Sequence, residues 1–226
     1  MASKFIFIRH GQLKRPYQDH LTMGYDALAD LALSRIDPEL DENAEKLFIK
    51  QIKHLDFSGI KTIYYNNSGK QSKRSLESAQ IIAQILRKKF HANVRLKGLD
   101  ILHELNFNLR KLLSRSKFDQ SGIRAVRLAL FSSVVENQGK NSEPINSIEK
   151  RVIKIHSIIS KYTKTNEGII FVTHAFFMRF IQTYIKRTNR LKSLSVINLQ
   201  RVKLNHYFGG FITDSTMRKI KIFGSK

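Results

Sequence analysis

Five reactive side chains in this sequence follow the ends of predicted strands. Because ligands of open α/β sheets bind beyond the carboxyl ends of the strands, we expect these side chains to meet at one edge of a sheet. Two arginines, two histidines and one carboxylate without a metal-ligand spacing fit phosphoryl transfer through a phosphohistidine. The five residues are Arg9, His10, Arg74, Glu104 and His174.

Each of these residue types suits one part of that reaction. A transferring phosphoryl group spreads its charge over three oxygens, and the planar fork of arginine matches those oxygens better than lysine does. A neutral imidazole is a competent nucleophile near pH 7, and its phosphoramidate hydrolyses readily. A carboxyl group of raised pKa can supply the proton that a leaving alkoxide needs. No glycine-rich nucleotide-binding motif and no Ser-His-Asp set competes with this interpretation.

The predicted elements alternate between strands and helices, which indicates a mostly parallel α/β sheet. A final antiparallel pair is predicted at 199–208 and 217–223, with a turn at Gly209 and Gly210. The segment 12–40 is predicted to be irregular, with room for one helical turn, because it contains Pro16, Gly24 and Pro38. The other predicted strands lie at 5–8, 61–65, 93–96 and 168–173, and the predicted helices at 41–55, after 73, at 148–162 and at 175–185.

The segment 106–145 interrupts this alternation with one or two predicted amphipathic helices outside the sheet. Its basic residues lie among apolar ones, against the single acid Asp119 in the stretch 106–135. Two interpretations remain open, namely a surface that selects an acidic or multiply phosphorylated substrate and an ordinary solvated helix face. The basic residues are Arg110, Lys111, Arg115, Lys117, Arg124 and Arg127.

Four motifs in order resemble those of the histidine phosphatase superfamily, the phosphoglycerate mutase-like proteins of branch 1. The sequence FIRHGQ at 7–12 resembles the RHG[EQ] signature, and RSLESA at 74–79 is similar to the R-x-x-x-[ST]-A start of a helix. The HEL at 103–105 resembles the L-x-E element, and VTHAFFMR at 172–179 resembles V-[ST]-H-G-x-x-x-R. The resemblance spans roughly residues 4–185.

The resemblance implies a fold and a role for each motif residue. The implied fold is a three-layer sandwich with helices on both faces of a mostly parallel central sheet. It implies a single domain over 1–226 with a cap-like helical insertion at about 106–145. The implied roles are His10 as the phosphorylated nucleophile, Arg9, Arg74 and His174 as ligands of the phosphoryl oxygens, Glu104 as proton donor and then base, and Gly11 as the place where the backbone passes close to the phosphate.

Some positions depart from the family pattern. Leu13 stands where many members have Ser or Thr, Pro16 replaces an asparagine of the mutases, and Ala175 replaces a glycine. These changes leave the phosphate ligands intact but argue against mutase activity. We therefore expect a metal-independent phosphomonoester hydrolase. The alternative is a weakly active or inactive protein of the same fold that binds a phosphorylated ligand or a polyanion, such as nucleic acid or anionic lipid.

Composition limits the remaining function classes. The 226 residues include no cysteine, which excludes disulfides, thiolate metal sites and cysteine nucleophiles. No apolar run is long enough to span a membrane, and the N-terminal one is too short for the core of a signal peptide, so we expect a cytoplasmic protein. Because metal-ligand spacings and nucleotide-binding motifs are missing from the sequence, we expect no cofactor and no metal. The formal net charge of +22 favours anionic partners, beginning with a small phosphorylated substrate. A basic protein surface with no partner would have the same composition.

Overall fold

The computed structural model describes residues 3–17, 20–69, 71–187, 191, 194–202 and 205–225. Its centre is one sheet of six strands, namely β1 (Phe5–Arg9), β2 (Ile60–Tyr65), β3 (Arg95–Gly98), β4 (Gly168–Thr173), β5 (Asn205–Thr213) and β6 (Ile220–Ser225). The strand order is β3-β2-β4-β1-β5-β6. The first four strands pair in parallel, whereas β5 is antiparallel to β1 and to β6. The predicted mostly parallel sheet is therefore confirmed.

Helices cover both faces of the sheet, as predicted for a three-layer sandwich. One buried cluster joins a sheet face to α2 (Ala44–Ile52) and α3 (Ser72–Phe90). The other joins the opposite face to the remaining helices. These are α1 (His20–Ala32), α4 (Leu109–Leu112), α5 (Arg115–Val135), α6 (Ile145–Thr163), α7 (Ala175–Lys186) and α8 (Val196–Gln200), with a 3₁₀ turn at Asp100–Leu102.

The central strand β1 supplies both cores. Its side chains alternate between the two faces, so Phe5 and Phe7 enter one core and Ile6 and Ile8 enter the other. The ring of Phe7 stacks on Phe171 of β4 at 4.8 Å between centroids. Burial on both faces explains why β1 is a continuous apolar run rather than an alternating one.

The prediction of an irregular segment at 12–40 is wrong in its middle part. Residues 20–32 form α1, and its side chains Tyr25, Leu28 and Ala29 are buried in the core. Gly24 has φ +72° and ψ 169°, which is not a helical conformation, so it separates two helical pieces within this range. The helical piece after Gly24 is stabilised by packing against the core, which no local signal reveals.

The predicted turn at Gly209 and Gly210 is also wrong, because both residues lie inside β5. A Cβ atom on Gly210 would lie 1.8 Å from the carbonyl oxygen of Phe7, so the close approach of β1 requires glycine. The chain turns instead after β5 at Asp214, whose carboxylate accepts hydrogen bonds from the backbone N–H groups of Thr216 and Arg218. Helix α8 was not predicted.

The basic segment 106–135 contains the whole of α4 and α5, which pack on α1. Two of its cations have acidic partners on α1. Arg110 forms ion pairs with Asp26 and Asp30, and Arg115 pairs with Asp26. Part of the positive charge of this segment is therefore used in ion pairs that connect α4 and α5 to α1. No helix in the described ranges is long and apolar enough to cross a membrane.

Candidate active site

Hydrogen bonds tie the ends of β1 and β4 to the segment that precedes Glu104. The backbone N–H of His10 donates to the carbonyl of Thr173 at 2.9 Å, which extends the pairing of the two strands by one residue. The hydroxyl of Thr173 donates to the carbonyl of Leu102 at 2.7 Å. Three of the sequence motifs, at 7–12, 103–105 and 172–179, therefore meet at one edge of the sheet.

Helix α3 brings the fourth motif to the same edge through two serines. The hydroxyl of Ser78 accepts from the backbone N–H of Gly11 at 2.8 Å and donates to the carbonyl of Arg74 at 2.6 Å. The hydroxyl of Ser75 donates to the carbonyl of Val172 on β4 at 3.2 Å. Ser78 lies one helical turn after Arg74, so this spacing fixes the first turn of α3 against the loop after β1.

His10 and His174 lie side by side. Their ring centroids are 5.1 Å apart, and the rings are only 5% and 0% exposed. Nδ1 of His10 lies 2.9 Å from the carbonyl oxygen of Gly11. Because a carbonyl oxygen only accepts, Nδ1 carries the proton and Nε2 keeps its lone pair. The structure thus presents His10 in the tautomer that a nucleophilic Nε2 requires.

Both histidines are held in their neutral form. Burial lowers the pKa of His10 well below its usual value, and the positive charges of Arg74 and Arg9 lower it further. Burial, Arg74 and His10 lower the pKa of His174 in the same way. Both ring nitrogens of His174 are buried and have no hydrogen-bond partner among the described residues. Buried polar atoms are normally paired, so these nitrogens suit a ligand that enters the site.

Arg74 is the most buried cation of the site, at 3% exposure. Its Nε lies 3.9 Å from Oδ1 of Asp37, whose Oδ2 accepts from the backbone N–H of Lys73. Burial lowers the pKa of Arg74, and the charges of Asp37 and Glu104 oppose that effect. Sequence reasoning missed Asp37, because it lies in the segment that was predicted to be irregular.

Arg9 lies against an aromatic ring from β5. Its Cζ is 4.0 Å from the ring centroid of Tyr207, and that ring is 5.7 Å from the ring of His10. Tyr207 is therefore a site residue that sequence reasoning missed. Its position depends on β5 running beside β1, and the predicted turn at Gly209 hid that pairing.

Glu104 reaches the site edge but is engaged with the start of α7. Its Oε1 accepts from the backbone N–H groups of Phe177 at 2.8 Å and Leu105 at 3.1 Å, and its Oε2 accepts from Phe176 at 3.0 Å. Burial raises the pKa of Glu104, although these hydrogen bonds and Arg74 act in the opposite direction. Oε2 accepts a single backbone hydrogen bond, so it retains a lone pair for a proton.

Gly11 is required sterically by the fold, in addition to its expected role of letting the backbone pass close to the phosphate. A Cβ atom there would lie 2.6 and 2.7 Å from ring atoms of Phe208 and 3.1 Å from Leu40. The ring of Phe208 is completely buried and packs on Phe48 at 5.1 Å between centroids. Only glycine leaves room for this ring beneath the loop.

Two other polar side chains near the motifs have structural contacts. Arg179 donates from Nη1 to the carbonyls of Leu199 and Val202 and so holds the end of α8. Nδ1 of His103 lies 2.6 Å from the carbonyl of Glu104. No group of three or more His, Asp or Glu side chains that would hold a metal ion occurs among the described residues.

The fold and its site edge define the class of structure. It is a phosphoglycerate mutase-like fold, since solved structures of a hydrolase and of phosphatases match nearly the whole chain. No protein-family profile and no curated protein sequence matches this chain.

Three solved structures illustrate the match. The chain is similar to the product of an open reading frame of Mycobacterium tuberculosis, with a TM-score of 0.61, 14% identity and coverage of 99% of this chain and 98% of that one. A mycobacterial glucosyl-3-phosphoglycerate phosphatase in complex with VO3 matches with a TM-score of 0.59, 11% identity and coverage of 100% of both chains. The α-ribazole phosphatase of Shigella flexneri matches with a TM-score of 0.56, 12% identity and coverage of 98% and 96%.

Proposed function

We propose that this protein is a phosphomonoester hydrolase that needs no metal ion and works through a phosphohistidine on His10. The observation that carries the proposal is the pairing of His10 with His174. The two rings lie 5.1 Å apart, and the hydrogen bond to Gly11 leaves Nε2 of His10 with its lone pair. Both are neutral at pH 7 because their pKa values are lowered by burial and by nearby arginines.

In the first step, Nε2 of His10 attacks the phosphorus atom of a phosphomonoester in line with the ester oxygen. The P–N bond forms as the P–O bond breaks, and the leaving alkoxide takes a proton from the carboxyl group of Glu104. The raised pKa of Glu104 increases the fraction that carries this proton. The carbonyl of Gly11 stabilises the positive charge that the imidazole gains through its Nδ1 proton.

In the second step, water attacks the phosphorus atom and gives a proton to the carboxylate of Glu104. The P–N bond breaks, its electron pair returns to Nε2, and inorganic phosphate leaves. Glu104 is then protonated and His10 neutral, as at the start. Each step is easier than direct attack of water on the ester.

Arg9, Arg74 and His174 hold the oxygens of the transferring group in this proposal. The burial of Arg74 and His174 keeps water away, so their hydrogen bonds to a phosphoryl oxygen are stronger than in solvent. Proteins of the same fold support the reaction class, because two of the similar structures are phosphatases by name and one holds VO3. Their substrates differ from each other, so the proposal extends to phosphomonoesters in general.

The decisive experiment compares wild type with His10→Ala on p-nitrophenyl phosphate. We expect the variant to lose about 10³-fold or more of kcat, as when a covalent nucleophile is removed. We also expect EDTA to leave wild-type activity unchanged. A phosphoenzyme isolated during turnover should lose its phosphate in acid, because the P–N bond of a phosphohistidine hydrolyses there. His54→Ala, at an exposed position, is the matched control. Full activity of His10→Ala or strict metal dependence would exclude the proposal.

One observation favours a second candidate, a protein that binds a phosphorylated ligand without turnover. The carboxylate of Glu104 already accepts three backbone hydrogen bonds, which favour its ionised form and compete with its use as a proton donor. Calorimetry with inorganic phosphate separates the two candidates. Phosphate binding by wild type, its loss in Arg74→Ala and no hydrolysis of any phosphomonoester would support the second one. A steep loss of RNA or anionic vesicle binding between about 50 and 200 mM salt would extend it to polyanions.

A further inference from the structure

Strand β5 has an irregularity beside the candidate active site. Its register against β6 shifts between Asn205 and Gly210. Within this stretch Phe208 has φ +54°, in the left-handed region that a phenylalanine rarely adopts. Such a conformation persists only where the surroundings hold it, and the ring of Phe208 is completely buried against Phe48. Irregularities of this kind redirect neighbouring side chains and often lie next to active sites.

The side chain beside this irregularity is Tyr207. The backbone N–H of Phe208 points to the carbonyl of His10 at 3.5 Å, so β5 runs directly alongside the residues after β1. The ring of Tyr207 is half-buried and lies 5.7 Å from the ring of His10. Cζ of Arg9 is 4.0 Å from the centroid of the same ring. Phe208 is buried in the core against Phe48, while the residue before it, Tyr207, lies beside His10 and Arg9.

This stacking suits a guanidinium that binds phosphate. The N–H groups of arginine point outward in the guanidinium plane, whereas a guanidinium stacked on a ring uses the face of that plane. A stack of Arg9 on Tyr207 therefore orients the guanidinium without competing for the direction of a phosphoryl oxygen. Arg9 adjoins His10 in the chain, so the orientation of this plane decides whether its fork faces the atom that Nε2 attacks.

We propose that Tyr207 is a positioning residue of the phosphoryl site, which holds the guanidinium of Arg9 in the plane that binds the transferring group. The proposal rests on the proposed function for its catalytic consequence. Its effect on the affinity of the site for phosphate does not require turnover and can be measured by itself. The face of the Tyr207 ring contacts Cζ of Arg9, so we assign the orientation of Arg9 to the aromatic ring.

The test compares Tyr207→Leu, Tyr207→Phe and Ile212→Ala. Ile212 is a half-buried residue of the same strand away from the site, so its variant is the matched control for weakened packing of β5. We expect Tyr207→Leu to lower kcat/KM and the affinity for inorganic phosphate by about 5- to 10-fold, the range of a partly buried cation–π contact. We expect Tyr207→Phe to keep phosphate affinity and kcat/KM close to those of wild type. We expect Ile212→Ala to lower the melting temperature without changing phosphate affinity.

A double-mutant cycle with Arg9→Lys tests whether the effect passes through Arg9. Lysine lacks the planar face, so Tyr207→Leu should change phosphate affinity by less than about twofold in that background. An undiminished effect of Tyr207→Leu there, or unchanged phosphate affinity in Tyr207→Leu alone, would overturn the inference and leave the proposed function intact. If wild type binds phosphate without hydrolysing any ester and Tyr207→Leu weakens that binding, the inference stands and the proposed function fails. If wild type does not bind phosphate, both fail.

Discussion

The backbone N–H of Gly11 donates a hydrogen bond to the hydroxyl of Ser78 at 2.8 Å, across 67 residues of chain. The same hydroxyl donates to the carbonyl of Arg74. One buried side chain therefore joins the loop that follows β1 to the first turn of α3. Loop and helix turn carry His10 and Arg74, so their relative position depends on this serine.

Ser78→Ala should reduce both stability and phosphate binding. The substitution leaves the N–H of Gly11 buried without its acceptor, which costs about 1–3 kcal/mol of unfolding free energy. Urea denaturation measures that loss, and calorimetry with phosphate should show weaker binding because Arg74 is no longer fixed against the loop. Ser121→Ala, at an exposed position of α5, should stay within about 0.5 kcal/mol of wild type. Equal stability of the two variants would contradict the role of Ser78.

Gly11→Ala should destabilise the fold through a steric clash rather than through backbone strain. The added Cβ would lie 2.6 Å from a ring atom of Phe208, so a buried ring must move, at a cost of about 1–3 kcal/mol. Phe208→Leu removes the clashing ring atoms and should partly rescue Gly11→Ala. A double-mutant cycle by chemical denaturation measures the coupling. Additive effects of the two substitutions would show that the clash is relieved elsewhere.

The motifs were predictable from the sequence because each is a local pattern, and those at 7–12 and 172–179 lie at the ends of apolar strands. The strand 168–173 and the residue His174 after it needed only an apolar run of β-forming residues and its abrupt end. The partners of these motifs were not predictable in the same way. Asp37 lies in the segment predicted to be irregular, and Tyr207 lies in a predicted strand whose pairing with β1 no local signal reveals.

Breaks in regular structure were predicted at Gly24 and Gly210 because the contacts that explain their positions are tertiary and leave no local signal. Gly210 is required by the carbonyl of Phe7 on the neighbouring strand β1, and Gly24 separates two helical pieces, of which the second packs on the core. The hydrogen-bond environment of Glu104 was equally hidden, because its donors Phe176 and Phe177 lie on α7. Sequence patterns thus locate the reactive groups, whereas contacts between distant segments decide how each group is held.

Stability should fall as the pH drops below about 6.5, the usual pKa of a histidine in an unfolded chain. Burial lowers the pKa of His10 and His174 in the folded protein, so the unfolded chain takes up protons in this range and the native protein does not. Each histidine contributes at most about 1.4 kcal/mol per pH unit until the native protein is protonated too. Above pH 6.5 this contribution is constant.

Denaturation curves between about pH 5 and pH 8 measure the slope. The double variant His10→Asn, His174→Asn should have a shallower slope than wild type. It should not be flat, because burial also lowers the pKa of His103 and His156. A slope as steep as that of wild type would show that the two site histidines titrate alike in the folded and unfolded protein.

The role of Glu104 should appear in how the rate depends on the leaving group. A general acid contributes about 10²- to 10⁴-fold where the leaving alkoxide is strongly basic, and little where it is a weakly basic phenolate. Glu104→Gln should therefore slow hydrolysis of an alkyl phosphate far more than that of p-nitrophenyl phosphate. Its amide oxygen can still accept from the backbone N–H groups of Phe176 or Phe177, which limits the structural loss.

Glu104→Ala separates the chemical from the structural contribution. It removes the acceptor at the start of α7 and should lower stability by about 1–3 kcal/mol in addition to slowing alkyl phosphates. The raised pKa of Glu104 adds a pH criterion, because only the protonated carboxyl group can serve the first step. The rate on alkyl phosphates should therefore decline as the pH rises through that pKa, and the decline should be absent in Glu104→Gln. Equal slowing of alkyl and aryl phosphates in Glu104→Gln would instead mean that this carboxylate only anchors α7 and that the proton comes from another group.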